Sequence, residues 1–369
     1  MLTSQLQQQL RKLISFTVLA LTLSVFILPA FGQGSIYRVN SNACVTPPQG
    51  LVAWWTGNGN AEEIQNGHDG MTQNITYPTE YLDMYRQGFA FNGVNSFIKV
   101  PGHSGLDVGT GDGFTIETWI KPIDMDTQQP LVEWNNPQAA GHKFGLHLWI
   151  NVERWGGSVR GSIYANLFDG AAHHTILTDP DILQPNVYQH VALTFDRING
   201  IAKLFLNGDV KATVTGLAQV TPLTGPAYDL NLGVRPEESR FFRGRMDELS
   251  LYNRALTESE ITGINDARSA GKCRYTISGQ TTDACGTSPM SGATVLLNSS
   301  HSLTRTRVTD ESGFYSFDAA AKGNFTLRAV PGDGPIGAGF NPTTYIFNDL
   351  SANQRANFSY HPGWLVECW

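Results

Sequence analysis

Two Asn-Gly pairs, Asn199-Gly200 and Asn207-Gly208, constrain this chain more than any other feature. Asn-Gly tolerates left-handed backbone at both corners of a type I′ turn, so each pair predicts a tight hairpin. The runs they separate, residues 187–195, 201–206 and 210–214, alternate apolar and polar side chains with the period of a strand. The rest of the chain repeats this pattern. Residues 51–55, 89–93, 97–100, 114–122, 131–134, 144–150 and 162–165 read as short strands between turn-forming residues. Phe114, Ile116 and Ile120 take one face of their strand, Thr115, Glu117, Trp119 and Lys121 the other, and Pro122 ends it. Its 38 glycines and 15% charged residues fit turn-rich β structure better than a helical enzyme. Short strands with a turn roughly every ten residues predict an all-β sandwich or jelly roll.

The net charge of −7 argues against a general nucleic-acid-binding role. Arg11 and Lys12 precede an apolar run over residues 13–28, and Ala30 and Gly32 follow it. That order predicts a secretory signal peptide over residues 1–32 and a polar leader over 33–43. The run is shorter than the roughly 20 residues of a membrane-spanning helix. With no second apolar run, the mature chain is expected to have no membrane span and to be secreted or held at the cell surface.

The stretch from Phe242 to Ile264 reads as a strand that hands over to a short helix. Strict alternation places Met246, Glu248, Ser250 and Tyr252 on one strand face, with Asp247, Leu249 and Leu251 on the other. Thr257 and Glu260 form a capping box, Leu256 and Ile261 a hydrophobic staple, and the helix ends by Gly271. The run Gly244-x-x-Asp247-Glu248-x-x-x-Tyr252-Asn253-Arg254-Ala255-Leu256-Thr257-x-x-Glu260-Ile261 resembles the closing strand of bacterial laminin-G-like (concanavalin A-like) jelly-roll domains. Trp54-Trp55 and Phe91-Asn92-Gly93 correspond to the opening strand and the Phe-x-Gly hairpin of that family. The resemblance covers residues 44–273. It implies a concanavalin A-like jelly roll and a binding or adhesion role, and names no ligand.

Residues 274–369 form a second region. Residues 275–279, 291–297, 307–317 and 324–330 alternate again, with Gly, Asp or Pro at each break. Thr309-Asp-Glu-Ser-Gly-Phe-Tyr-Ser-Phe317 and residues 347–358 resemble the carboxypeptidase-regulatory-like, transthyretin-type domain. This implies a smaller Greek-key prealbumin-like β-sandwich of the kind used as a spacer or surface module. Almost no linker separates the two regions, so they should be held closely. Four cysteines in an exported chain invite disulfides in one of three pairings. Jelly-roll termini lie side by side, which favours Cys44–Cys273 and Cys285–Cys368. The absence of Cys-x-x-Cys speaks against metal ligation.

Jelly rolls of this class include glucanases, which need two carboxylates about 5 Å apart for retaining hydrolysis. The matching Glu-x-Asp-x-x-Glu strand does not occur here. Asp247 and Glu248 are adjacent, Asp124 and Asp126 follow Pro122 in a loop, and Glu117 stands alone. Neither Gly-x-Ser-x-Gly nor His-Glu-x-x-His occurs. The chain therefore reads as non-catalytic, with a hydrolase using a divergent carboxylate pair as one alternative and a ligand-free structural spacer as another. The resemblance also implies a possible calcium ion, with Asp247, Asn92 and Gly93 as candidate oxygen donors, although Asn92 stands where the family often has Asp. For a sugar, an aromatic platform beside polar groups is the physical requirement. Trp149, Trp155 and Tyr164, interleaved with Asn151, Arg160, Asn166 and Asp169, are the candidates. The expected partner is a glycan or an extracellular matrix polymer.

Overall fold

A computed structural model of the chain describes residues 43–79, 87–151, 160–299, 303–331 and 338–363, with the backbone alone of 153–154 and 157–158. The first region is two antiparallel sheets packed face to face. One sheet runs in the order Leu51–Trp55, Arg243–Tyr252, Gly113–Pro122, Gln189–Asp196, Ile201–Leu206, Asp209–Val214, with Phe89–Asn92 also paired to Arg243–Tyr252. The other runs Thr175–Leu177, Ile163–Asn166, Phe144–Ile150, Gln129–Asn135, Asp229–Leu232, Phe97–Val100, Met71–Gln73. Alternation decides what each strand buries. Phe114, Ile116 and Ile120 enter the space between the sheets, where they meet Trp55, Trp134, Phe195, Leu204 and Leu232. Each such side chain contributes about 1.5–3 kcal/mol by leaving water.

The strand Arg243–Tyr252 departs from strict alternation. Asp247 stands opposite Trp119 and Ser250 opposite Glu117, three steps against two, which is a β-bulge. Glu248 takes the irregularity with φ 57°. The bulge flips the parity, so Met246 shares the core with Leu249 and Leu251, not the outer face with Ser250 and Tyr252. The Asn199-Gly200 hairpin also differs from its expected form. Strands end at Asp196 and Ile201, leaving a four-residue loop in which Gly200 has φ 65°. The Asp196 carboxylate accepts both the backbone and side-chain N–H of Asn199, at 2.9 and 2.7 Å, and this local bonding outcompetes a two-residue turn. Asn207 and Gly208 do form the type I′ corner, with φ 53° and 87°.

After that sheet the helix Glu258–Ala267 begins on its capping box. Leu256, Ile261 and Ile264 lie against Tyr252, Ala192 and Phe205 on the outer face of the first sheet. The two ends of the region meet, since Trp54 pairs with Ser250, Trp55 with Leu249, and Cys44 is bonded to Cys273 with Cα atoms 4.9 Å apart. Cys368 lies outside the described residues, so the second pairing stays an expectation.

Arg274 opens the next strand at once. Arg274–Thr282 pairs antiparallel with Phe314–Ala320 and parallel with Gln354–Arg355 and Phe358–His361. A second sheet, Arg305–Val308, Thr294–Ser299, Phe325–Val330, Tyr345–Phe347, packs over it around Ile277, Val295, Phe317, Leu327 and Phe358. The seam between the two sandwiches is built, not tethered. Trp54 and Ile64 pack on Ala320, Asn66 accepts the Leu303 amide at 2.9 Å and bonds Ser299, and Glu62 is paired to Arg307.

Candidate glycan-binding face

The outer face of the second sheet gathers the polar residues that alternation keeps out of the core. Val132 and Trp134 point inward, so Glu133 and Asn135 point out, and likewise His147 and Trp149, Tyr164 and Asn166, and Asn231. Register brings them side by side. Tyr164 stands opposite Trp149, Asn166 and Glu133 flank His147, and Asn231 is the cross-strand neighbour of Glu133.

At the centre, Glu133 is a fully buried carboxylate. It accepts from Arg235 Nε at 2.7 and 3.0 Å, Arg235 Nη2 at 2.8 Å, Trp149 Nε1 at 2.7 Å and Asn135 Nδ2 at 2.6 Å. Burial pushes its carboxyl up, and these N–H donors pull against that shift. Arg235 reaches the site from Val234–Arg235, whose partner strand Arg240–Phe241 closes a short hairpin over Pro236–Glu238. Its guanidinium lies 4.2 Å from the Trp149 ring centroid and 4.6 Å from that of Phe144, a double cation–π contact. Its Nη1 donates to Glu238 at 3.1 Å, and Glu238 also accepts from Arg240 at 2.7 Å.

Beside this clamp lies a more open aromatic rim. His142, Phe144, Phe168 and His173 contact one another with ring centroids 4.7–6.0 Å apart. Tyr164 and Phe144 are half-buried; His142 and His173 are exposed. His147 Nδ1 donates to the Gly145 carbonyl at 2.9 Å, and burial beside Arg235 pushes the imidazole down to about 3, so Nε2 is an acceptor. Burial pushes the Tyr164 hydroxyl up to about 12, so it keeps its proton. Asn166 Nδ2 bonds His173 at 2.8 Å, while its Oδ1 is buried and has no partner among the described residues.

Of the sequence candidates, Trp149, Tyr164 and Asn166 therefore share one surface. Trp149 is only 3% exposed, its ring covered by Arg235. Asp169 sits in the adjoining loop, accepting the amides of Ala171 and Ala172 and bonding His174 at 2.9 Å, which holds its carboxyl down at about 2. Trp155 lies outside the described residues. Glu133, Arg235 and His147 were not singled out from sequence. The alternation around Glu133 does mark it as the one polar side chain between Val132 and Trp134, but its cation lies 102 residues away.

Asp247, Asn92 and Gly93 are not brought to one point. Asn92 stands opposite Arg243, four strand residues or roughly 13 Å from Asp247. Its Oδ1 is taken by the amides of Val94, Asn95 and Ser96. Asp247 is buried beside Gly57 and Gly88 and accepts the Glu248 amide at 2.9 Å. These three residues do not fit a common calcium ion. Two further buried carboxylates, Glu117 and Glu248, lie on the outer face of the first sheet. Glu117 receives Lys272 at 2.8 Å and His190 at 3.0 Å, and Glu248 receives Arg274 at 3.0 Å. Burial opposes the Glu117 charge, yet Lys272 and His190 hold its carboxyl below the usual range. Lys272 also lies 4.9 Å from the Trp54 ring, so this cluster is sealed at the seam.

Residues 92–262 match the family model described as the concanavalin A-like lectin/glucanases superfamily. No curated protein matches the chain. Among solved structures, the chain is similar to domain 4 of AbnA, a GH43 extracellular arabinanase from Geobacillus stearothermophilus, in complex with arabinotriose. Identity is 19% over 57% of this chain and 96% of that one, with a TM-score of 0.43. It is similar to the CBM40 of the Ruminococcus gnavus IT-sialidase bound to α2,3-sialyllactose, with 18% identity, 53% and 97% coverage, and a TM-score of 0.37. It is also similar to the binding domain of botulinum neurotoxin serotype G, with 12% identity, 81% and 82% coverage, and a TM-score of 0.44.

Proposed function

We propose that this chain is an exported, non-catalytic carbohydrate-binding protein that holds its ligand on the outer face of the second sheet of its concanavalin A-like domain. The observation that carries the reading is the rim beside the Arg235 clamp. There the half-open ring of Tyr164 stands next to Asn166 Oδ1, a buried acceptor with no described partner, and His147 Nε2. A pyranose supplies C–H faces for the ring and hydroxyl donors for the two acceptors. The face is poorly suited to glycoside hydrolysis. Glu133 is saturated by N–H donors, so it has no spare lone pair with which to act as acid, base or nucleophile. The Cys44–Cys273 bond fits an oxidising compartment.

One observation favours a second reading. Arg235 covers the Trp149 ring, which leaves a narrower platform than an open lectin groove and suits a structural spacer with no ligand. A glycan array separates the two. The binding reading expects retention on at least one glycan class and a roughly two- to tenfold loss of affinity for Tyr164→Ala, the scale of a lost stacking contact of about 0.5–1.5 kcal/mol. Retention of nothing on a broad array supports the spacer.

A further inference from the structure

The chemistry of the same face narrows the class of glycan, an inference that rests on the carbohydrate-binding reading. We infer that this face accepts uncharged glycans and rejects carboxylated ones.

The argument begins with Arg235, the described cation that reaches the centre of the face. A guanidinium is the usual partner of a sugar carboxylate, because its planar fork matches two oxygens. Here the fork is already used. Nε and Nη2 are on Glu133 and Nη1 is on Glu238. The next cation along the hairpin, Arg240, is also held by Glu238. Glu237 stands exposed beside them, its carboxylate 3.3 Å from Asn135 Nδ2. Three carboxylates thus face two guanidinium groups, and the local balance is negative.

The spare hydrogen-bonding capacity points the same way. Asn166 Oδ1 and His147 Nε2 are acceptors, and the Tyr164 hydroxyl is a neutral donor and acceptor. Sugar hydroxyls bring donors to these acceptors. A uronate or sialate carboxylate brings only lone pairs, which would confront Asn166 Oδ1 or His147 Nε2, with Glu237 and Glu238 close by. At separations of several ångströms in a partly solvated groove, like charges cost about one order of magnitude in affinity. They also repel less as salt screens them.

The test uses the full chain and compares neutral xylo-, cello- and laminari-oligosaccharides with oligogalacturonate and sialyllactose by calorimetry. The expected result is binding of a neutral probe with anionic probes about tenfold weaker or worse. That gap should narrow at about 0.5 M NaCl and in Glu237→Gln/Glu238→Gln, a double change that removes two exposed carboxylates and weakens the hold of Glu238 on Arg235 Nη1 and Arg240. The salt arm needs no variant, so it stands even if the double variant folds poorly. An anionic probe bound as tightly as the neutral ones, or a gap that neither salt nor the double variant alters, overturns the inference and leaves carbohydrate binding intact. Binding of no probe at all overturns the carbohydrate reading, and this inference with it.

Discussion

His68 carries its effect through a single ring nitrogen. It is 2% exposed, its Nε2 is buried without a described partner, and its ring lies 4.8 Å from that of His103. Burial, with the His103 imidazole adding to it, pushes its pKa down to about 4 from the ordinary 6.5. Between those values the unfolded chain binds a proton that the folded chain refuses. Stability is therefore complete above about pH 6.5 and falls as pH drops towards 4, by on the order of 3 kcal/mol for this one group. His147 adds to the same slope. Urea unfolding at pH 7.5, 6 and 5 should show falling stability, and His68→Phe should flatten the slope by up to one proton; an unchanged slope in that variant refutes the assignment. Little of this was legible beforehand, because a histidine in an Asn-Gly-His-Asp-Gly run reads as a solvated loop residue. The loop is instead folded inward by Glu63, whose two oxygens accept the amides of Trp54, Gln65, Asn66 and His68 at 2.6–3.3 Å. Four backbone donors on one buried carboxylate leave no trace in residue periodicity.

At the scale of single elements, the sequence was readable wherever side chains alone set the geometry. Gly113–Pro122 has its predicted faces and its proline stop. The helix Glu258–Ala267 starts where Thr257 and Glu260 predicted, with Glu260 N donating to Thr257 Oγ1 at 3.2 Å and Thr257 N to Glu260 Oε2 at 2.9 Å. Thr257→Ala should cost about 1 kcal/mol, seen as a lower denaturation midpoint with an unchanged slope; no shift would show that packing on Phe205 and Tyr252 fixes the helix by itself. Periodicity failed where the backbone departs from it. The bulge at Glu248 places a non-glycine residue at φ 57°, and no residue type announces that. Asn199-Gly200 carried the correct turn dipeptide but lost to the side chain of Asp196. The candidate face was half visible for the same reason. Trp149, Tyr164 and Asn166 share a face by register, whereas the Glu133–Arg235 pair joins positions that only the tertiary fold makes neighbours.

For the whole molecule, closure is the governing feature. The Cys44–Cys273 bond spans 229 positions, and the chain-entropy model assigns such a loop about 5 kcal/mol as a ceiling. Cys44→Ser/Cys273→Ser should lower the thermal midpoint markedly while leaving the β-sheet circular dichroism in place at low temperature. A variant that melts with the parent would show that the strand pairing of Leu51–Trp55 already closes the domain. The two adjacent tryptophans of that strand have a practical consequence. Trp55 is immersed between the sheets, while Trp54, one residue away, lies under Lys272 and Ala320 where the two sandwiches meet. They are two fluorophores reporting on different events. Parting the sandwiches without melting either would redden the emission of Trp54 alone, so a pair of single-tryptophan replacements turns this strand into an optical gauge of whether the molecule ever hinges.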